Sequence, residues 1–184
     1  MEKLEEKTLD SSAIFSGRVI SLEVHEVELP NGRKSTREII KHPGAVAIIA
    51  LTPENKILLV EQYRKAMERT LVEIPAGKLE KGEDVMDSAR RELEEETGYV
   101  CDSLEYVSGF YTSPGFADEL VHIFYASGLT RKEDSAPLDE DEFVEVLELT
   151  LPEALEYVKN QKIYDAKTVY AIQYLQLREA EKKK

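Results

Sequence analysis

The run "GKLEKGEDVMDSARRELEEETG", residues 77–98, constrains the fold more tightly than any other part of the chain. Gly77 and Gly82 bracket a tight loop. Val85, Met86, Ala89 and Leu93 then recur at spacings of three and four, the signature of one apolar stripe on a helix. Gly98 stands where a helix stops. These features predict a loop, a helix over 83–97, and a second loop. That helix collects Glu92, Glu94, Glu95 and Glu96. Like charges four apart destabilise an exposed helix by roughly 0.2–0.5 kcal/mol per pair. At roughly 100° per residue, Glu92, Glu95 and Glu96 share an arc of about 100° bordering the apolar stripe, while Glu94 points elsewhere. Carboxylates at the rim of a core are costly unless paired or bound to a cation. Hard cations such as Mg²⁺ accept one or two carboxylates together with substrate phosphates. Arg91, four residues before Glu95, can hold one carboxylate in an ion pair and leave the others for metal.

Composition bounds the rest. The 184 residues suit one domain with a small appendage, and 42% hydrophobic with 33% charged residues fits a soluble globular chain. No apolar run approaches the roughly 20 residues that span a bilayer; the longest, "GAVAIIAL" at 44–51, is strand-sized. The start, "MEKLEEKTLD", is polar and acidic, unlike a signal or transit peptide. Cys101 is the single cysteine, so no intrachain disulfide forms and a reducing, cytoplasmic setting is expected. The net charge of −13 argues against a nucleic-acid or anionic-membrane partner. An acidic protein can still act on phosphates when a cation lies between them and its own carboxylates.

Along the chain, residues 1–12 read as a loose start. Alternating apolar and polar residues on either side of Asn31-Gly32 predict an antiparallel hairpin with strands at 18–29 and 33–41. Residues 45–64 repeat the scheme, two apolar strands joined by "TPEN". Strands are expected at 102–110, 119–127 and 143–150, with an acidic loop over 129–142. A helix starts at Leu151 with Pro152 in its first turn, and a final amphipathic helix follows Asp165. No internal repeat or low-complexity linker interrupts this order. Mixed strands and helices predict an α+β fold rather than a doubly wound parallel one.

The spacing of residues 77–98 goes further. Gly77, five residues, Glu83, seven residues, then Arg91-Glu92-Leu93-any-Glu95-Glu96-any-Gly98 resembles the Nudix box at every fixed position. One departure is Tyr99, where an aliphatic residue is usual. The resemblance implies a Nudix fold, mixed β-sheets sandwiched by helices, preceded by a small antiparallel β domain. It implies a site that binds Mg²⁺, or Mn²⁺, and hydrolyses a nucleoside diphosphate linked to another group. Glu92 and Glu96 would be the chief metal ligands, with Glu95 assisting and the carbonyl of Ala76 adding an oxygen. Arg91 and Glu83 would orient the helix carboxylates, and Glu94 would be dispensable.

The box does not name the substrate. "SPG" places Pro114 fifteen residues past Tyr99 and Gly115 beside it; with "VEQYR" (60–64) and "HPGAV" (42–46) this is similar to the ADP-ribose pyrophosphatase subgroup. The resemblance implies hydrolysis of ADP-ribose to AMP and ribose 5-phosphate. It also implies a homodimer with exchanged N-terminal domains, with residues 1–43 forming that domain and 44–184 the hydrolase domain. Pro114 and Gly115 become candidate substrate contacts, as does Arg64, whose planar fork suits phosphate oxygens. The acidic stretch "LDEDEFVEV" (138–146) offers the base that deprotonates the attacking water. Glu142 and Glu140 are both candidates, Glu142 ahead as the base and Glu140 also as a metal contact, with Asp139 and Asp141 as solvated bystanders. The alternatives are a pyrophosphatase of another sugar nucleotide such as GDP-mannose, or a Nudix-fold sensor that binds ADP-ribose without cleaving it. His25, His42 and His122 are scattered and make no transition-metal site, and Cys101 reads as an ordinary small residue.

Overall fold

The computed structural model describes residues 2–132 and 143–182. The chain divides into two compact units, Met1–Gly44 with Phe110–Leu120, and Ala45–Gly109 with Val121–Lys184.

The first unit is a three-stranded antiparallel sheet of β1 (Lys7–Ser16), β2 (Ser21–Glu28) and β3 (Lys34–Lys41), in the order β1-β2-β3. The expected hairpin is β2–β3, in register from Ser21 opposite Lys41 to Glu28 opposite Lys34. Gly32 closes its turn at a φ of 78°, a left-handed conformation that glycine adopts without Cβ strain. Strand β1 replaces the loose start read from the sequence. All ten of its residues are exposed and its register slips twice, so no apolar–polar alternation marks it. Residues 110–120 join the end of β3: Ile40 N donates to Phe116 O at 2.7 Å, and Lys41 pairs with Asp118 at 2.8 Å.

The second unit holds two sheets. One runs β10-β5-β6, with β5 (Ile57–Arg64) between β10 (Val144–Leu149) and β6 (Arg69–Glu73). The other runs β7-β4-β9-β8, formed by β7 (Ala76–Lys78), β4 (Ala45–Ala50), β9 (Leu120–Arg131) and β8 (Tyr99–Tyr111). β4 pairs in parallel with β9 and antiparallel with β7, so the sheet is mixed, as expected. The two apolar strands at 45–64 do not form a hairpin. They lie in different sheets and meet at the isolated bridge Leu51–Ile57. β4 and the first half of β5, Ile57–Val60, are continuous buried runs rather than alternating ones, and such runs carry no signal of which neighbour they pair with.

Helix α1 (Val85–Thr97) is the helix predicted over 83–97. Asp84, not Glu83, caps it, its side chain accepting from Met86 N (2.9 Å) and Asp87 N (3.4 Å). Gly98 ends it at a φ of 73°. Ala89 and Leu93 sink into a core with Val46, Ile48, Leu58 and Phe124, which is where the sheet and the helix face are welded. Met86 lies outside that core and is exposed. α2 (Leu151–Lys159) opens on a Thr150–Glu153 capping box, and α3 (Ala166–Lys182) packs against it. No helix among the described residues is long and apolar enough to cross a membrane.

Candidate active site

The segment Ile74–Gly77 is fixed atom by atom before it reaches α1. Ile74 N donates to the Thr168 hydroxyl at 2.9 Å, Ile48 N donates to Pro75 O at 2.8 Å, and Ala76 N donates to Glu96 Oε2 at 2.9 Å. Gly77 completes the cradle. A Cβ built there would fall on the Glu92 carboxylate, against its Cδ and both oxygens, so only glycine lets this carboxylate seat on the strand. Glu92 and Glu96, one turn apart on α1, are only 8% and 5% exposed. The arc read from the sequence is thus the side of α1 that faces β7.

Arg91 holds the rest of the cluster. Its Nε and Nη2 donate to the two oxygens of Glu83, both at 3.0 Å. Its Nη1 donates to Glu92 Oε1 and Glu95 Oε2, both at 2.9 Å, and Nη2 reaches the Ser88 hydroxyl at 3.3 Å. Arg91 therefore bridges two of the three arc carboxylates, rather than the one expected, and Glu83 as well. Its hydrogen bond holds the Glu83 carboxyl at about 2, below the usual carboxylate range. The guanidinium, bound first of all to Glu83, is itself held above its ordinary value. Glu94 points away and pairs with Lys132 at 2.7 Å. The crowding of glutamates on α1 is thus relieved by two cations on different sides of the helix, Arg91 for Glu92 and Glu95 and Lys132 for Glu94, while Glu96 accepts from Ala76 N.

The donor set suits a hard divalent cation. Among the described residues, no three acidic, imidazole or thiol groups converge closely enough to enclose an ion unaided. Mg²⁺ rarely asks for such a cage, since one or two carboxylates leave its remaining positions to water and substrate phosphate oxygens. Glu92 and Glu96, seated by Gly77 and Ala76, supply that number of carboxylates, and the Ala76 carbonyl belongs to the same fixed segment.

Arg64 ends β5 and pairs with Glu73 through two bonds, Nε to Oε1 at 2.7 Å and Nη2 to Oε2 at 2.8 Å. Its guanidinium is held above its ordinary value by that hydrogen bond first, with the charges of Glu96 and Asp165 contributing. Glu96 thus lies within electrostatic reach of Arg64. Sequence reasoning did not single out Glu73, Lys167, Asp165 or Thr168. The visible signal for Glu73 was an acid closing an otherwise apolar strand, "TLVEIPAG"; nothing in the sequence pointed to Lys167.

Pro114 and Gly115 belong to the first unit, in a turn where Ser113 O accepts from Phe116 N (3.1 Å) and Ala117 N (2.9 Å). A Cβ on Gly115 would meet open space, so packing does not demand glycine there. Glu140 and Glu142 lie outside the described residues. His25 bonds Glu23 at 2.8 Å, the Nδ1 of His42 accepts from Gly44 N at 3.1 Å, and His122 packs its ring against Tyr106. Cys101 is half-buried, and burial pushes its thiol up.

Comparison with known proteins bears on the family. Residues 41–171 match the NUDIX domain, and residues 6–40 match the nucleoside diphosphate sugar hydrolase N-terminal domain. The chain is 64% identical to the methanol dehydrogenase activator of Bacillus methanolicus and 62% identical to the ADP-ribose pyrophosphatase of Bacillus subtilis, in each case over 98% of this chain and 97% of the relative. A GDP-mannose pyrophosphatase of Escherichia coli is 33% identical over 92% of this chain and 94% of its own. A crystal structure of an ADP compounds hydrolase superposes with a TM-score of 0.84 at 20% identity, over 97% of this chain and 96% of that one. That likeness carries the fold. Nudix hydrolases as a group work with divalent metal ions, which accords with the donor set on α1. With its box intact, its mixed sheet in place and the family's domain matched over residues 41–171, the chain belongs to the Nudix hydrolases.

Proposed function

We propose that the chain hydrolyses ADP-ribose to AMP and ribose 5-phosphate, with Mg²⁺ as the working ion and Mn²⁺ as a substitute. The observation that carries this is the seating of Glu92 and Glu96 on Gly77 and Ala76, in a chain 62% identical to an ADP-ribose pyrophosphatase.

Glu92 and Glu96 hold the ion, with Glu95 and the Ala76 carbonyl assisting. When bound, such an ion neutralises diphosphate charge and acidifies water. Arg91 and Glu83 keep the carboxylates aimed, and Gly98 ends the helix that carries them. Arg64 grips a diphosphate oxygen, and Pro114 and Gly115 contact the sugar nucleotide. Glu142, or Glu140, takes a proton from the attacking water. The water oxygen bonds to one phosphorus, the bridging P–O bond breaks, and the departing phosphate keeps its electron pair. Such a transfer demands mainly positioning and charge neutralisation.

The proposal extends to assembly: a cytoplasmic homodimer in which residues 1–43 exchange between subunits and residues 44–184 form the hydrolase domain. Its support is the run of exposed large apolar side chains, Leu9, Ile14, Phe15, Val19 and Ile20, in the first unit.

The test is release of AMP from ADP-ribose with Mg²⁺, beside GDP-mannose, for wild type and Glu96→Gln, with Glu142→Gln and Glu140→Gln alongside. Fast AMP release that collapses in Glu96→Gln supports the reading, and the weaker of the Glu142→Gln and Glu140→Gln variants identifies the base. Preferential cleavage of GDP-mannose moves the substrate and keeps the chemistry. Tight binding of ADP-ribose without cleavage makes the chain a sensor.

The 64% identity to a methanol dehydrogenase activator favours a second reading, in which the chain raises the turnover of a dehydrogenase. Methanol oxidation by such an enzyme, with and without this chain, tests it. Glu96→Gln separates activation by hydrolysis from activation by docking.

A further inference from the structure

Glu73 is 2% exposed, and a carboxylate buried that far is costly unless it is paired and hydrogen-bonded. It has two cationic partners. Arg64 takes both its oxygens, and the Lys167 ammonium, arriving from the first turn of α3, donates to Oε2. Lys167 also donates to Asp165 Oδ1 at 3.0 Å, the same oxygen that accepts from Thr168 N at 3.1 Å. Thr168 in turn accepts from Ile74 N, the residue after Glu73. The first turn of α3 therefore grips the end of β6 at two successive residues, once through charge and once through a neutral hydroxyl.

The geometry of Arg64 gives this arrangement a purpose beyond packing. The pair uses the Nε–Nη2 edge of its guanidinium, and among the described residues Nη1 takes part in no hydrogen bond. The Arg64 side chain is 40% exposed, while Glu73 beneath it is sealed. Arg64 and Lys167 together offset Glu73 and Asp165, and Glu96 adds its charge within reach of Arg64. Without Lys167, Arg64 would become the sole counter-charge of a buried glutamate beside Asp165, and its fork would be drawn inward.

We propose that Lys167 and Glu73 are positioning residues for the diphosphate: Lys167 shares the charge of Glu73 so that Arg64 is locked on one edge and free to bind phosphate oxygen with the other. This rests on the reading of Arg64 as a diphosphate contact. It assigns a role to the first turn of α3, which lies some 70 residues beyond the Nudix box.

Steady-state hydrolysis of ADP-ribose tests it as a double-mutant cycle between Lys167→Met and Arg64→Ala, with Thr168→Val as the uncharged control. Lys167→Met should raise KM about ten-fold with a smaller change in kcat, in the range of orienting partners. Added to Arg64→Ala, it should change KM by less than about two-fold, because nothing remains to aim. Thr168→Val, which frees Ile74 N at the start of the carboxylate-seating segment, should lower the melting temperature and kcat without the ten-fold rise in KM. Lys167→Arg, which keeps the charge, should restore most of the affinity. Equal effects of Lys167→Met with and without Arg64 would overturn the proposal, as would an unchanged KM in a folded Lys167→Met protein. If Arg64→Ala itself leaves KM unchanged, the reading of Arg64 falls first and this one with it. If Arg64→Ala raises KM and Lys167→Met does not, only the present inference fails. Should Lys167→Met not fold, Lys167→Gln is read by the same criteria.

Discussion

Gly77 and Glu92 occupy complementary volumes: the glutamate carboxylate fills the space that any side chain at position 77 would need. The strand, not the helix alone, therefore decides where this carboxylate lies. Gly77→Ala should push Glu92 outward and lower kcat/KM by about 100-fold, the scale of a misplacement near 1 Å. Circular dichroism should remain that of the wild type. Wild-type turnover in Gly77→Ala would show that Glu92 works from another position.

Arg91 is a five-contact clamp, and its planar fork is what lets one residue serve Glu83, Glu92, Glu95 and Ser88 together. Lysine keeps the charge and loses the fork. Arg91→Lys should therefore cost about 10–100-fold in activity or in affinity for the ion. Titrating Mg²⁺ against initial rate distinguishes a weaker site from a slower one.

Two carboxylates give the fold an acid limit. Burial pushes the Glu73 carboxyl up, but the Arg64 hydrogen bond and the charge of Lys167 overcome it and hold it at about 2. The Arg91 bond holds Glu83 at about 2 as well. An unfolded glutamate titrates near about 4.3. Between the two values the unfolded chain binds more protons, so this stabilisation is complete above about pH 4.3 and is lost as pH falls toward 2. For Glu73 it is on the order of 3 kcal/mol at neutral pH. Urea unfolding at a series of pH values should show the decline, and Glu73→Gln should flatten it. A decline of equal slope in that variant would remove Glu73 from the account.

The exposed apolar residues of the first unit should be covered in the proposed dimer. Phe15→Asp, or Ile14→Asp, should shift sedimentation from dimer to monomer at micromolar concentration. An unchanged species would move the interface elsewhere.

The parts of the sequence that proved legible share one property: their signal is local. The Asn31-Gly32 turn fixed the β2–β3 hairpin, and Asp84 to Gly98 carry their own start, stripe and stop. The carboxylate arc was visible because helical geometry turns spacing into direction. What stayed hidden depends on distant partners. β4 and the first half of β5 are uniformly apolar, so nothing within those runs records that one pairs with β9 and the other with β10. β1 has no buried face to print a pattern. Tyr99, read as an aliphatic substitute, turns out to donate its hydroxyl to Glu148 on β10 at 2.9 Å, a contact 49 residues away in sequence. Lys167 and Thr168 were invisible for the same reason: each meets its partner 94 residues back along the chain.

That last separation has a consequence in time. A ribosome adding about 5–20 residues per second makes Glu73 and Ile74 roughly 5–20 seconds before the residues that steady them. For the later part of that interval the nascent chain holds every carboxylate of the helix, yet Glu73 lacks its Lys167 partner and the strand is untethered at Ile74. A chain that ends ahead of Asp165 therefore lacks both bonds, and the end of β6 is tied down only once the first turn of α3 has been made.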